Sequence, residues 1–553
     1  MAKTFFITLR QLVVPAGEKE SRLASRAAAK LGIPAGDVLS CQPVRRSLDA
    51  RKRRGKPVMV YHVRLELPNK WRWDLRKAKR PDVVFEPGGH HLSLNLTDPA
   101  PGPNRQRPLV VGAGPAGLFA ALRLAQAGWR PILIERGDDL DARRGVTAEF
   151  WRNGTLDSES NVLFGMGGAG LFSDGKLNTR HKDREGMKEI LSTLVQAGAP
   201  ESVLIDAEPH IGSDLLSDAV ANICRFIISG GGEIRTRTRL DALHGDDGAL
   251  REAVLTAADG GTESVAVDAC VLATGHSARD VYFMLEHAGC DMAAKPFAVG
   301  LRVEMPQEGI DASQRVGKFK PAAGEAASFR ISRPPCGDAG SCYTFCMCPG
   351  GLVIACASEP GRLAVNGMSY HARAGEWGNA AFLTPITEAD LAGLADAAGC
   401  AESLAGIVFQ RMLEEKAYLA GRAGGEYCVP ASRLVDFADG TTGTLPERRG
   451  VGRAVACDLR ELLPGHMAAT LADAIPAMLG KMRRVDPAEV MLYGTETRTS
   501  SPVRVVRDDS GQSAGMKGLF PAGEGSGYAG GIMTSALDGW RAAGKVIQAA
   551  GSL

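Results

Sequence analysis

Apolar and polar residues alternate over residues 5–14, 38–46 and 57–67, and between the first two of these stretches apolar positions recur at helical spacing over 18–31. Period two predicts strands and period 3.6 a helix, so the first hundred residues are expected to form a small α+β module of ferredoxin-like type. Pro99-Ala-Pro-Gly-Pro-Asn-Arg105 can continue neither structure and marks a boundary. Beyond it the pattern changes. Leu109-Val-Val is apolar without interruption, three glycines follow, and Leu118, Ala121, Leu122, Leu124 and Ala125 then return at helical spacing. A second apolar run, 130–134, ends at Glu135.

Farther along, the pattern predicts a helix over 215–228, strand-like runs over 233–238, 249–255 and 263–267, and a buried strand within 268–275. A short strand over 518–522 and a final helix complete the reading. The expected organisation is residues 1–98 as the small domain, 105–294 and 487–553 as two parts of one Rossmann-type α/β domain, and 295–486 as an inserted mixed α+β domain. A chain of 553 residues exceeds what one core usually serves, which agrees with several domains.

Charge sharpens this division. The net charge is +2, yet residues 1–100 carry 20 Lys and Arg against 9 Asp and Glu, and the remainder is acidic. The basic residues Arg45, Arg46, 51–56, Arg72, Arg76, Lys77, Lys79 and Arg80, with Trp71 and Trp73, offer charge and stacking planes to a nucleic acid, or form a solvated face against an acidic neighbour. No run of about 18 apolar residues and no secretory leader is recognisable, so a cytoplasmic protein is expected. Twelve cysteines in a chain this long are no disulfide scaffold.

The strand, glycine triplet, helix and terminal acid together predict a nucleotide site. Gly112 allows a tight bend, Gly114 lets backbone approach a diphosphate, and Gly117 lets helix pack on strand, while Pro115 and Ala116 open the helix whose N-terminus favours an anion. Glu135 stands near the spacing of about 20 residues expected of a carboxylate that holds ribose hydroxyls, with Arg136 beside it. The glycine-rich run 164–176 suits backbone wrapped on a ligand, which makes Gly167, Gly168, Ala169, Ser173 and Asp174 candidates. Thr274 and Gly275 end the buried strand. Gly523, Glu524, Gly530, Gly531 and Ile532 open the last helix and can close the same site. One fingerprint with such a closing segment points to FAD, with NAD(P)H, if used, binding only transiently in the inserted domain's cleft.

Candidate catalytic residues follow from chemistry. His276, just after the buried strand, can move protons or merely cap a loop. Arg302, Arg498 and Arg504 can clamp an anionic substrate or the flavin's pyrimidine edge, or serve as salt-bridge partners. Cys336, Cys342, Cys346 and Cys348 fall within thirteen residues. Cys346 and Cys348 can be a redox dithiol, a substrate contact or buried unreactive thiols, and the spacing does not suit zinc, so no metal is expected.

The motifs together resemble a bacterial family of largely uncharacterised FAD-dependent dehydrogenases with a small N-terminal α+β domain. The residues that carry the resemblance are Ser47-Leu-Asp-Ala-Arg51, Gly112 to Gly117, Gly167-Gly-Ala-Gly-Leu-Phe-Ser-Asp-Gly-Lys176, Thr274-Gly-His-Ser-Ala-Arg-Asp280, Cys346-Met-Cys-Pro-Gly-Gly351, Asn366-Gly-Met-Ser369, Glu496-Thr-Arg-Thr-Ser-Ser-Pro502 and Gly523-Glu-Gly-Ser-Gly-Tyr-Ala-Gly-Gly531. The resemblance implies FAD, an oxidoreductase and a small-molecule substrate that it does not name. Met166 and Met305 depart from the family's usual glutamate and histidine. A weaker similarity of the FAD domain to flavoproteins that modify tRNA uridines and to geranylgeranyl reductases keeps an RNA-binding flavoenzyme as an alternative, beside a flavin redox sensor.

Overall fold

The computed structural model describes residues 4–49, 57–86, 106–179, 181–314, 326–337 and 340–551. The basic run at 51–56 and the proline-rich boundary at 99–105 lie outside them. In the first module, strand Thr4–Pro15, helix Leu23–Leu31, strands Ser40–Asp49 and Val58–Pro68, helix Arg72–Lys77 and strand Val83–Phe85 succeed one another. The four strands form one antiparallel sheet with Val58–Pro68 and Thr4–Pro15 at its centre, the ferredoxin-like order. Alternation decides which face is covered. Ile7, Leu9, Val63 and Leu65 are buried together with Ala27 and Leu23 of the helix. The module is tied to the next domain at Arg46, whose backbone exchanges hydrogen bonds with Ile205 and Ala207 while its guanidinium pairs with Asp206.

Five three-residue strands, every one largely or wholly buried save Glu233–Arg235 at one edge, make a parallel sheet in the order Leu519–Pro521, Cys270–Leu272, Leu109–Val111, Ile132–Ile134, Glu233–Arg235. Such strands need cover on both faces, which the unbroken apolar runs supply. The closing strand pairs in register with Cys270–Leu272, so a segment four hundred residues downstream completes the fingerprint's own sheet. Helix Pro115–Gln126 packs against the C-terminal helix Ile532–Gly551 so closely that a Cβ on Gly539 would stand 1.9 Å from the Ala116 carbonyl oxygen. The strand expected over 233–238 is two: it ends at Arg235, and after Arg237, at φ 51°, Thr238 begins an antiparallel three-stranded sheet.

The middle of the chain builds a seven-stranded sheet, in the order Ser332–Arg333, Cys342–Cys348, Trp377–Pro385, Ala298–Pro306, Met491–Glu496, Val429–Arg433, Ala454–Ala456. Its neighbouring strands are antiparallel except for the last pair. Met491–Glu496 lies within the range 487–553 that was expected to belong wholly to the Rossmann domain. Its six residues are all buried, and it hydrogen-bonds Ala298–Pro306, so the chain leaves this sheet only after Glu496. Met292–Ala294 and Val503–Val505 then pair with one another as the two passages between the sheets.

Candidate functional site

The site begins at the turn after Leu109–Val111. Gly112 has φ 97°, and a Cβ there would lie 2.5 Å from the Ala273 carbonyl oxygen; on Gly117 it would lie 1.8 Å from the Gly112 carbonyl oxygen. Both glycines are therefore demanded by the close approach of strand, turn and helix. Gly114, the N-terminal cap of helix Pro115–Gln126, offers no side chain to the first free N–H groups. Those groups and the helix dipole face a cavity whose wall includes Gly112, Gly114, Pro115, Ala116, Glu135 and Arg136. The same wall includes Gly531 and Ile532, so the start of the C-terminal helix opens on the cavity that the first one meets.

Glu135 does more than its spacing foretells. Its carboxylate accepts from the N–H groups of Ala113 at 2.8 Å, Gly165 at 2.9 Å and Gly137 at 3.0 Å, pinning fingerprint, strand end and glycine-rich loop together. Two oxygens carry about four acceptor positions, which leaves room for a ribose hydroxyl. Arg136 is held by Glu159 and Asp280, each at 2.9 Å, and lies over the Phe164 ring.

The loop at 164–176 is shaped by a residue that sequence reasoning missed. Arg143 is wholly buried, and its guanidinium donates to the carbonyls of Asn161, Val162, Gly165, Met166 and Gly168. Burial with no carboxylate in contact pulls its pKa down to about 10. Gly168 and Ala169 reach the cavity wall; Gly167, like Gly117 and Gly530, does not. Ser173 and Asp174 reach the wall but are occupied: Ser173 caps the turn at Gly175, and Asp174 binds Ser369 and Arg373. Asp174 thereby fastens the loop to the segment following strand Ala364–Met368.

Across the cavity, Thr274, Gly275, Gly523 and Glu524 line the wall. Gly275 has φ 72° with open space where a side chain would stand, and Gly523, at φ 79°, sits 2.7 Å, measured from its would-be Cβ, from Ala116. Glu524 accepts from the Gly531 N–H at 3.3 Å, and burial raises its pKa to about 7.

The expected catalytic residues separate into two groups. His276 and Cys346 line the cavity; Arg302 and Cys348 stand behind it. His276 was expected to donate a proton, yet burial, then Arg498, Arg279 and Lys295, depress its pKa to about 3. It is a neutral imidazole at physiological pH, and its Nδ1 has no partner. Arg302 was read as a clamp for substrate or flavin, or as a salt-bridge partner, and the structure has the second: it is fully buried, donating to Asn379 Oδ1 at 2.8 Å, the Cys346 carbonyl at 2.7 Å, Glu496 Oε1 at 3.2 Å and Cys348 Sγ at 3.3 Å. A both-faces-buried strand placed it inside, where its charge needs these partners. Arg498 reaches the wall, but its guanidinium binds Glu414, which it shares with Arg279, and Arg504 rests over the Tyr528 ring.

Glu496 was singled out only as the start of a motif. It lines the cavity, burial raises its pKa to about 7 against the pull of Arg302, and its Oε2 has no hydrogen-bond partner. Asn366, Phe345, Thr499 and Lys176 complete this part of the wall. Met166 and Met305, the two departures from the resemblance, are buried apolar residues.

Residues 107–396 match the model of the FAD dependent oxidoreductase family, which is more than half of the chain. The chain belongs to this family. Residues 296–499 match a second model, an FAD-dependent protein, C-terminal domain-like, and residues 6–66 a domain of unknown function. An uncharacterized protein of Clostridium beijerinckii is 37% identical over 535 residues, 95% of this chain and 96% of that one. Among solved structures, the glycerol-3-phosphate dehydrogenase from Bacillus halodurans complexed with FAD is 10% identical, with 82% of this chain and 65% of that one covered and a TM-score of 0.35. Glycine oxidase from Bacillus cereus is 11% identical, with 81% and 96% covered and a TM-score of 0.31.

FAD is the cofactor of this oxidoreductase, and the site's chemistry fits it: a turn too close for side chains, two helix N-termini on one cavity, and unpartnered Nδ1 and Oε2 atoms farther along. Among the described residues no group of three or more His, Cys, Asp and Glu can hold a metal ion, and no single helix is long and apolar enough to cross a membrane. In the N-terminal module, Arg46, Lys70 and Arg80 are paired with Asp206, Asp37 and Asp82, and Arg72 and Arg76 lie over Phe5 and Phe85. Trp73 is 74% exposed.

Proposed function

We propose that this oxidoreductase moves a hydride between FAD and a small organic substrate held where the Rossmann sheet meets the seven-stranded sheet. One observation carries the reading: a single continuous cavity is lined both by Gly112, Gly114 and Glu135 and by Cys346, Asn366, Glu496 and Thr499. The ADP half is assigned to the first group with Pro115 and Ala116. The ribityl and flavin end is assigned to Thr274, Gly275, Gly523, Glu524 and the head of the C-terminal helix. When bound, FAD supplies a two-electron acceptor or donor at N5.

The protein's part is to orient the substrate, exclude water and handle one proton. Glu496 suits the proton, because a carboxyl with a pKa near 7 exchanges readily at physiological pH and Oε2 is free. Neutral His276 offers Nδ1 as a hydrogen-bonding group rather than as an acid. With one Rossmann sheet occupied by FAD, NAD(P)H, where it serves as electron donor, binds transiently in the inserted domain's cleft. Stopped-flow reduction with NADH and NADPH, then a metabolite screen against oxidised and reduced enzyme, tests the proposal. It predicts at least one organic compound that changes the flavin's redox state at a saturable rate; flavin unresponsive to every donor and metabolite would count against it.

A further inference from the structure

The strand Cys342–Cys348 contains an irregularity that the proposed hydride transfer does not use. Against its partner strand, Phe345 pairs with Ala381 and Cys348 with Asn379, so one extra residue is inserted between them. This is a β-bulge, and Cys346 takes its left-handed position at φ 42°. Glycine adopts that conformation without penalty, whereas a side chain held there is strained. The bulge brings Cys346 to the cavity wall and folds the next-but-one thiol behind it: Cys348 Sγ lies 3.4 Å from the Cys346 carbonyl oxygen.

Arg302 grips both residues. One of its Nη2 hydrogens goes to the Cys346 carbonyl, and the same nitrogen is 3.3 Å from Cys348 Sγ. Lys176 donates to the carbonyl of Met347 between them, so two cations converge on a Cys-Met-Cys segment. Glu496, with its unpartnered Oε2, is held by the same Arg302 and faces the same cavity. Hydrogen bonding from the Cys348 thiol and the charges of Lys176 and Arg302 hold the Cys346 thiol well below its usual range, while Cys348, as the donor and deeply buried, is pushed up. A thiol held low at a cavity wall, with a second thiol two residues on and a guanidinium against both residues, is an arrangement suited to dithiol exchange.

We propose that Cys346 and Cys348 are a redox-active pair that exchanges electrons with the flavin of this site, Cys346 facing the flavin and Cys348 resolving it. This rests on the cavity being the FAD site. In the oxidising direction the Cys346 thiolate and Cys348 thiol lose two electrons and one proton as the sulfur–sulfur bond forms. The oxidised flavin takes the two electrons and that proton to become the anionic reduced form. The reverse step reopens the bond with the same balance. The thiols are thus a second two-electron store beside the cofactor, and the substrate class they add is a small thiol or disulfide able to reach Cys346.

The test uses FAD-loaded full-length protein under anaerobic conditions. Titration of air-oxidised enzyme with dithionite is expected to consume twice the electrons that its bound flavin holds, and Cys346→Ser or Cys348→Ser halves that uptake. Cys336→Ser, on an exposed residue of the same segment, leaves it unchanged. Differential alkylation and peptide mass measurement of the wild type, which needs no variant to fold, is expected to show Cys346 and Cys348 protected in oxidised enzyme until reduced. Uptake equal to the flavin alone, with both thiols open to alkylation in the oxidised protein after unfolding, overturns the dithiol and leaves the flavin site standing. Protein that cannot be loaded with FAD overturns both.

Discussion

Arg302 Nη1 stands 3.2 Å from Glu496 Oε1, yet the carboxyl is pushed up to about 7, because its burial outweighs the attraction of a guanidinium whose donors are divided among four partners. Glu496 is therefore poised to change charge near neutral pH at the edge of the cavity proposed to hold flavin. The absorbance spectrum of the bound flavin is expected to shift with a midpoint near pH 7 between pH 5.5 and 8.5. Glu496→Gln is expected to remove its part of that transition, and Glu496→Gln combined with Glu524→Gln the whole of it, since Glu524 on the same wall is also raised to about 7. A transition that survives in the double variant assigns it elsewhere.

Glu304 offers the same chemistry away from that cavity. Its carboxyl is buried in the second sheet, accepts from the Gly450 N–H and Tyr493 hydroxyl at 3.0 and 2.9 Å, and is raised to about 7 by desolvation. The folded state thus binds more protons than the unfolded chain between about pH 4.5 and 7. Stability from this group is fully present below that window and is lost as pH rises through it, by roughly 3 kcal/mol. Glu304→Gln should gain Tm relative to wild type from pH 5 to pH 8. A constant difference across that range would refute it.

His276 gives the opposite expectation for a group that the sequence marks as an acid. With its pKa depressed to about 3, its ring stays neutral throughout ordinary buffers. In isotope-labelled protein the His276 signals, assigned by His276→Asn, should not titrate between pH 5 and 8. A midpoint near 6.5 would restore the proton-donor role.

Two glycines of equal appearance in the sequence predict opposite outcomes. A Cβ on Gly539 meets the Ala116 carbonyl at 1.9 Å, so Gly539→Ala must part the two helices that open on the cavity; we expect a loss of about 1–3 kcal/mol and weakened FAD retention. Gly145 lies in helix Leu140–Asn153 with nothing within 4 Å, and Gly145→Ala should stabilise by up to about 1 kcal/mol. Thermal unfolding and the flavin content of purified protein read both.

Arg143→Lys keeps the charge but replaces five donors in a fixed fork with three. Carbonyls of the glycine-rich loop lose their partner, at about 1–3 kcal/mol for each left buried and unsatisfied. Lower Tm together with faster FAD loss on dilution is expected. Unchanged FAD retention would mean that the loop holds its shape without Arg143.

What the sequence made legible is what the backbone demands locally. Gly112 and Gly117 are forced by one turn, and the closing strand by an apolar run followed by glycines, so the parallel sheet could be assembled on paper. The second sheet could not. Ala298–Pro306 is buried on both faces except at its last residue, so it carries no alternation to reveal where Arg302 points. Met491–Glu496 is short and buried throughout, and its membership of the inserted sheet depends on a partner two hundred residues away. Arg143 beside Arg144 reads as a solvated helix face, and only the fold of residues 161–168 around it makes it a scaffold. Glu496 and the bulge at Cys346 are likewise tertiary facts, since register between strands is not written in either strand alone.

The order in which the chain is made acquires a meaning from the position of Leu519–Pro521. Until that strand emerges, Cys270–Leu272 presents an open, apolar edge to whatever is near, and the cavity lacks one of the two helices whose N-termini open on it. A chain stopped before residues 519–551 would therefore leave that edge open to pairing and aggregation and would lack part of the wall assigned to FAD.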